Sequence, residues 1–192
     1  MGAAEKIQDF IPLALYWELE EKSDTKHEYL NGQMVAMAGA TINHNVLVAN
    51  IISALNRNTA TGNCVVLASD MKVALDKEKH FFYPDVSVVC DEPLFYEERK
   101  DTYINPTLIV EVLSDSTEAF DRGKKFNYYR QLSSFNEYVL ISQHALLVDV
   151  YSRKGENIWK IRSYGEMDDT IVLESLGIEI SLSELYKKVS LD

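Results

Sequence analysis

Residues 107–113 read TLIVEVL, an almost wholly apolar run that is rich in β-branched side chains. Such a run is typical of a central β-strand that is covered on both faces. Its one charged residue, Glu111, would lower stability by several kcal/mol there unless a cation, hydrogen bonds or proton uptake compensates the charge. The stretch therefore predicts a buried strand that carries a functional carboxylate.

A second acidic residue and a nearby lysine point to the same chemistry. In YPDV (83–86) the proline opens a strand without the loss of a ladder hydrogen bond, and it places Asp85 at the strand entrance. On the helix predicted to follow Glu111, Asp121 and Lys125 are four residues apart and share one face. Two carboxylates on neighbouring strands, with a lysine beside them, suit phosphodiester hydrolysis with Mg²⁺.

The expected metal site follows from these residue types. Mg²⁺ takes hard oxygen ligands and keeps several waters, so we expect Asp85 and Glu111 as ligands, with Mn²⁺ as a substitute metal. The backbone carbonyl of Val112 is expected to complete the inner sphere. A lysine beside the metal orients the attacking water and offsets the charge that develops at phosphorus.

Hydrophobic periodicity and turn signals predict the elements around this site. Asn31-Gly32 supplies the two positive φ angles of a type I′ turn and predicts a hairpin. Helices are expected at Leu13–Glu21, His44–Asn58 (capped by Thr41 or Asn43), Ser116–Leu132 and Ser183–Val189. Strands are expected at His27–Leu30, Gln33–Met37, Cys64–Ala68, Met71–Leu75, Tyr83–Val89, Thr107–Leu113, Glu137–Ser142, Leu146–Ser152 and Asn157–Tyr164. Helices before and after a mixed sheet predict one α/β domain over residues 1–192.

Taken together, the motifs resemble the Uma2 family of bacterial proteins from about Tyr16 to Tyr186. The residues that carry the resemblance are Pro84-Asp85, EVLS (111–114), DRGKK (121–125) with Tyr129, EYLNG (28–32), His44 and NEYVL (136–140). That family looks like a member of the PD-(D/E)XK nuclease superfamily. The resemblance therefore implies a restriction-endonuclease-like αβββαβ core, with a mixed central sheet flanked by helices and with Asp85 and Glu111 as metal ligands.

The resemblance also implies roles for further residues. The superfamily usually has a lysine two residues after the glutamate, where this chain has Leu113. Lys125 matches the family position for the amine, whereas Lys124 points about 100° away around the helix. Glu28 matches an early acidic residue that supports the metal or water, and His44 matches a family position without a defined role.

Each candidate also has an ordinary structural interpretation. Asp85 follows a proline, as turn aspartates often do, and Lys125 can form a solvated pair with Asp121 that is worth about 0.3–0.5 kcal/mol. Glu28 lies beside a tight turn, where an exposed glutamate is common. His44, near the start of an apolar helix, can serve as a cap or as a core residue.

Composition narrows the class of protein. The 46% hydrophobic and 26% charged residues are typical of globular proteins, and no apolar run approaches the ~20 residues of a membrane span. Residues 1–10 contain no apolar segment of a secretory signal, and the isolated Cys64 and Cys90 suggest reduced thiols in a cytoplasmic protein. The 19 basic and 30 acidic residues give a net charge of −11, which is unusual for a DNA-binding protein.

These observations support a magnesium-dependent endonuclease that hydrolyses DNA with metal-activated water. Because the net charge is acidic and the usual lysine is displaced, the alternative is a weak or inactive module on the same fold that binds nucleic acid or protein. An enzyme that acts on RNA or on a small phosphodiester is a third hypothesis. Nucleases of this superfamily often work as dimers, because cutting two strands needs two sites, so by analogy we expect a homodimer.

Overall fold

The computed structural model describes residues 10–75 and 79–191. Its helices are α1 (Leu13–Lys22), α2 (Ile42–Thr59), α3 (Glu118–Phe120), α4 (Phe126–Tyr129) and α5 (Leu182–Leu185), and a π-helical turn (Asp121–Lys125) joins α3 to α4. Its strands are β1 (His27–Leu30), β2 (Gln33–Ala36), β3 (Cys64–Ala68), β4 (Lys72–Leu75), β5 (His80–Phe82), β6 (Val86–Cys90), β7 (Thr102–Tyr103), β8 (Leu108–Leu113), β9 (Glu137–Ser142), β10 (Val148–Arg153), β11 (Trp159–Tyr164), β12 (Thr170–Leu173) and β13 (Ile178–Ser181).

The strands form three sheets. The largest has the order β11-β10-β9-β8-β6-β3, in which only the β8–β9 pair is parallel. A five-stranded sheet has the order β2-β1-β5-β4-β7, and β12 pairs with β13 as a hairpin. In chain order, α2, β3, β6, β8, the α3–α4 segment and β9 make an αβββαβ core, which confirms the predicted mixed sheet with flanking helices.

Strand β8 lies at the centre of the molecule, as its composition predicts. All six of its residues are buried, and they contribute to two apolar clusters on opposite faces of the sheet. On one face, α2 packs its stripe of Leu47, Ile51 and Leu55 against β8. On the other face, Tyr129 of α4 lies fully buried among apolar side chains. A charged side chain on β8 is therefore enclosed unless the chain leaves an opening at the end of the strand.

Local sequence signals predict some elements closely and miss others. The bounds of β3 and β9 agree with the prediction, and positive φ angles of 47° at Asn31 and 89° at Gly32 confirm the hairpin turn. Four short strands, β5, β7, β12 and β13, were not predicted. Each has two to four residues, so no periodic pattern can develop, and partners distant in sequence define β5 and β7.

The expectation of free cysteines is wrong. Cys64 and Cys90 face each other directly across the antiparallel β3–β6 pair and form a disulfide. They are 26 residues apart in sequence, so only the strand register brings them together. Disulfides are more usual in oxidising compartments, so the cysteines no longer support a cytoplasmic location. That location stays a prediction.

Removal of this disulfide is expected to lower stability without a change of fold. In the chain-entropy model, closure of a loop of this length contributes about 3.5 kcal/mol. A Cys64→Ser/Cys90→Ser variant is therefore expected to lose about that much free energy of unfolding in urea titrations. Reductant is expected to produce the same loss in the wild type and none in the double variant; an unaffected wild type would contradict the prediction.

Two expectations concern the membrane and the N-terminus. Among the described residues, no helix has the length and apolar character needed to cross a bilayer. The predicted lack of a secretory signal concerns residues 1–10, of which residues 1–9 lie outside the described part of the chain.

A buried lysine in β4 is held by a polar network beside α1. The Lys72 amine, which is 4% exposed, lies 2.6 Å from an Asp101 carboxylate oxygen and donates to the Tyr83 hydroxyl at 3.0 Å. Arg99 also contacts the Asp101 carboxylate. Partial burial raises the pKa of Asp101, but its hydrogen bonds with Lys72 and Arg99 outweigh that effect and lower the pKa to about 2.

Asp101→Asn is expected to lower the free energy of unfolding at neutral pH by about 1–2 kcal/mol, a figure reduced for the 41% exposure of this side chain. Because the folded-state pKa lies below the usual value, the wild-type advantage is complete above about pH 4 and disappears as pH falls toward 2. Urea titrations of both proteins across this range measure the difference. A difference that persists at the acid end would contradict the assignment.

Candidate active site

The entrance of β6 brings Asp85 beside Glu111 and Val112. Val86 of β6 pairs with Val110 of β8, so the residue before Val86 lies next to the end of β8. The Asp85 carboxylate oxygen Oδ2 accepts the Val112 N–H at 2.8 Å, and the Asp85 N–H donates to Glu111 Oε2 at 3.3 Å. Pro84 has no N–H to leave unpaired at this position, which is why it suits the strand entrance.

Lys125 reaches this pair of carboxylates from the helical segment. Its amine lies 2.9 Å from Glu111 Oε1, 3.1 Å from Glu28 Oε1 and 3.5 Å from Asp121 Oδ1. Asp121 and Lys125 begin and end the π-helical turn, and π-helical turns occur often at functional sites. Both side chains are buried, whereas Lys124 is exposed. The structure thus places Lys125, and not its neighbour, among the carboxylates.

His44 joins the same group from the first turn of α2. The helix is capped by Thr41, whose side chain accepts the His44 N–H, so the Asn43 alternative is not used. The His44 Nε2 atom lies 3.2 Å from Asp85 Oδ2. Among the described residues, the buried Nδ1 atom has no hydrogen-bond partner.

Burial and charge crowding shift the proton equilibria of this cluster. Burial, together with the nearby Asp121 and Asp85 carboxylates, raises the pKa of Glu111 well above its usual value despite the Lys125 amine. Burial raises the pKa of Asp121 as well. For Lys125, burial lowers the pKa, but Glu111 and Glu28 outweigh it, so the pKa is raised and the amine stays charged.

The charge balance at the site suits an additional cation. Four carboxylates (Glu28, Asp85, Glu111 and Asp121) lie within a chain of contacts that contains one lysine and one histidine. Among the described residues, no three His, Cys, Asp or Glu side chains are arranged as a metal cage. A site with two carboxylates still fits Mg²⁺, which uses one or two of them and completes its sphere with waters, phosphate and carbonyls.

A cleft of about 400 Å³ opens onto these groups. All six predicted site residues, namely Glu28, His44, Asp85, Glu111, Val112 and Lys125, line it. Residues 37–41, which link β2 to α2, form part of its wall, and Thr41 hydrogen-bonds Gln143 after β9. The cleft therefore provides space for a phosphate-bearing group next to the carboxylates.

Three contributors to the site were not among the predicted site residues. Asp121 was recognised only as a helix partner of Lys125, although its side chain is 4% exposed and lines the cleft. Tyr129 donates its hydroxyl to Glu111 Oε1 at 3.3 Å, whereas from the sequence it was named only as part of the family motif. Gln143 donates to the Leu113 carbonyl at 2.8 Å. Two signals pointed to Asp121 and Tyr129: their spacing from Lys125 by four residues, which places all three on one helix face, and their place in the family motif.

The fold and the site define an α/β protein of the restriction-endonuclease-like class. A solved structure with the same fold, described as a "putative nuclease belonging to DUF820" from Anabaena variabilis, aligns with a TM-score of 0.75 and 17% sequence identity. The alignment covers 92% of this chain and 97% of that chain. This similarity concerns the fold.

The chain belongs to the Uma2 family. The family model, described as "Putative restriction endonuclease", matches residues 11–183. Two uncharacterized proteins of Synechocystis sp. are similar in sequence: slr1290 is 34% identical over 90% of this chain and 89% of its own length. The second, sll1609, is 36% identical over 76% of this chain and 82% of its own length.

Proposed function

We propose that this protein is a magnesium-dependent endonuclease that hydrolyses DNA phosphodiester bonds. The observation that carries the proposal is the convergence of Asp85, Glu111 and Lys125 at the bottom of one cleft, where carboxylates outnumber cations. Membership of the Uma2 family and a restriction-endonuclease-like fold support the nuclease class.

Asp85 and Glu111, with the Val112 carbonyl, would hold Mg²⁺, which when bound polarises the phosphoryl oxygen and lowers the pKa of a bound water. Asp85 keeps its carboxylate oriented because Val112 and His44 contact the same oxygen, Oδ2. In this proposal Lys125 orients the attacking water and offsets the negative charge that develops at phosphorus.

Glu28 and His44 act as positioning residues in this proposal. Glu28 contacts the Lys125 amine from β1, and it receives the Tyr83 N–H at 3.4 Å. His44 contacts Asp85 Oδ2 from α2. Each joins a separate element to the carboxylate pair, so both fix the side chains that would contact metal or phosphate.

The proposal is tested by incubation of the purified protein with Mg²⁺ or Mn²⁺ and DNA, with circular single-stranded DNA and supercoiled plasmid as separate substrates. We expect cleavage of at least one of these substrates by the wild type, none with chelator, and none by Asp85→Ala. Circular dichroism shows whether the variant is folded. If the wild type and the folded variant cleaved DNA to the same background level, the enzyme proposal would be wrong.

A second candidate is a module that binds nucleic acid or protein on the same fold, with weak catalysis or none. The observation in its favour is that the Lys125 amine already contacts three carboxylates, Glu28, Glu111 and Asp121. Calorimetry with Mn²⁺ separates the candidates. A heat of Mn²⁺ binding that is present in the wild type and lost in Asp85→Ala supports the nuclease. If millimolar Mn²⁺ gives no heat of binding, the binding module is supported.

We also propose that the protein acts as a homodimer, by analogy with other nucleases of this fold class, which often work as dimers. Light scattering coupled to size exclusion is expected to give twice the mass of one chain. A monomer at micromolar protein concentration would rule out a stable dimer.

A further inference from the structure

The groups proposed to act on phosphate are deeply recessed. The side chains of Glu111, Asp121 and Lys125 are 4–7% exposed, and those of Asp85 and His44 are 15% exposed. They lie in a cleft of about 400 Å³, which is near the small end of ligand pockets. A phosphodiester must therefore enter the cleft to meet them.

Among the described residues that line the cleft are two lysines, of which Lys125 is buried and Lys26 is 38% exposed. Lys125 is surrounded by three carboxylates, and Lys26 pairs with Asp70 and donates to the Ser69 carbonyl at 2.9 Å. A duplex carries a dense array of phosphates on both strands, and proteins that bind it usually neutralise several of them. This lining is unsuited to that task.

Two locally basic segments, Arg122–Arg130 and Arg153–Arg162, contain arginines that make internal contacts. Arg122 pairs with Glu118 and with Asp149, the latter at 2.6 Å. Arg153 donates to backbone carbonyls, including that of Phe135 at 2.8 Å. Of the basic residues in these two described segments, Lys125 is the one that lines the cleft.

What the mouth of the cleft offers instead is uncharged donors. Ser114, Ser116 and Thr117 follow β8 and hydrogen-bond through their hydroxyls. Asn45 on α2 also lines the cleft, and its amide donates to the Thr41 carbonyl and has a second N–H to donate. Hydroxyl and amide groups of this kind contact phosphate and sugar oxygens without a requirement for a basic surface. They suit a flexible backbone that bends into the cleft one or two nucleotides at a time.

We propose that the substrate is single-stranded nucleic acid or an unpaired end or flap, and that intact duplex is excluded. The inference rests on the proposed nuclease function and restricts its substrate class. A stiff duplex does not bend into a cleft of this volume without local distortion or unpairing, which costs a few kcal/mol. An unpaired strand avoids that cost.

The test compares one labelled oligonucleotide sequence as a single strand, as a blunt duplex and as a duplex with an unpaired flap. With Mn²⁺, kcat/KM for the single strand and the flap is expected to exceed that for the duplex by about 10- to 100-fold. Equal or faster cleavage of the blunt duplex would overturn the inference while it left the nuclease proposal intact.

Binding separates failure of this inference from failure of the nuclease proposal. Fluorescence anisotropy in Ca²⁺ needs no catalysis, and it is expected to show the same preference for the single strand. If no substrate is cleaved, the nuclease proposal fails, and the anisotropy still decides this inference. Equal affinity for both forms, or binding of neither, would overturn it.

A matched pair of charge variants tests the role of the cleft itself. Ser116→Lys adds a cation at the mouth, and Ser133→Lys adds the same charge at an exposed site near the start of β9, the opposite end of the parallel β8–β9 pair. Duplex affinity is expected to rise for Ser116→Lys alone, with a steeper dependence on salt. An equal rise in duplex affinity for both variants would show that net charge, and not the cleft, excludes duplex, and it would overturn the inference. Unchanged duplex affinity in Ser116→Lys would overturn it as well.

Discussion

Lys125→Met is expected to lower the free energy of unfolding by about 3–5 kcal/mol, the cost of removing one partner from a buried ion pair. The amine is the cation that Glu28, Glu111 and Asp121 share, at 3.1, 2.9 and 3.5 Å. Methionine has nearly the same volume but no charge, so three recessed carboxylates would repel one another without compensation. Urea titration of both proteins measures the loss.

The neighbouring lysine provides the control. Lys124 is exposed, so Lys124→Met removes the same charge from the chain and is expected to change stability by less than about 0.5 kcal/mol. Addition of Mn²⁺ is expected to restore part of the stability of Lys125→Met, because a divalent cation can replace the missing charge. Equal stability of the two variants would show that the cluster does not depend on the Lys125 amine.

Glu111→Gln is expected to reduce metal-dependent cleavage by about 10³-fold, because a metal ligand contributes several kcal/mol of transition-state stabilisation and each 1.36 kcal/mol is tenfold in rate. Glutamine keeps the shape of the side chain and removes the charge that would hold Mg²⁺. Single-turnover cleavage of a labelled oligonucleotide gives the rate, and calorimetry with Mn²⁺ shows whether metal binding is lost with it.

The same variant is expected to stay folded, with a change in stability of about 1 kcal/mol or less, because Lys125 keeps two carboxylate partners in Glu28 and Asp121. Burial raises the pKa of Glu111, so the buried charge is itself unfavourable, and its removal offsets part of the lost contact with Lys125. Glu179→Gln, at an exposed position on β13, makes the same change of charge and is expected to leave the rate unchanged. A Glu111→Gln protein that cleaves at the wild-type rate would remove this residue from the chemistry.

Much of the αβββαβ core was predictable because its elements are long enough to show a period. The apolar run of β8 predicts a central strand, and the structure buries all of it. The stripe of α2 and the Asn-Gly turn were likewise local signals. The short strands of the second sheet were missed because β5 and β7 acquire their identity from partners such as β1 and β4.

The sequence by itself determined which residues are candidates for the site. A glutamate within an apolar strand, an aspartate after a proline and a lysine on the next helix are anomalies that local chemistry identifies. The family motif added Glu28 and His44 to these candidates. None of these signals shows how far apart the side chains lie in the folded protein.

Tertiary structure alone decided that these groups meet and that Asp121 and Tyr129 join them. The register of β6 against β8 sets Asp85 beside Glu111, and the π-helical turn presents Lys125 to both β1 and β8. The disulfide arose in the same way, since strand pairing opposes Cys64 to Cys90. Contacts between residues 18–97 positions apart depend on how the sheets pack, and no local pattern in the chain encodes that packing.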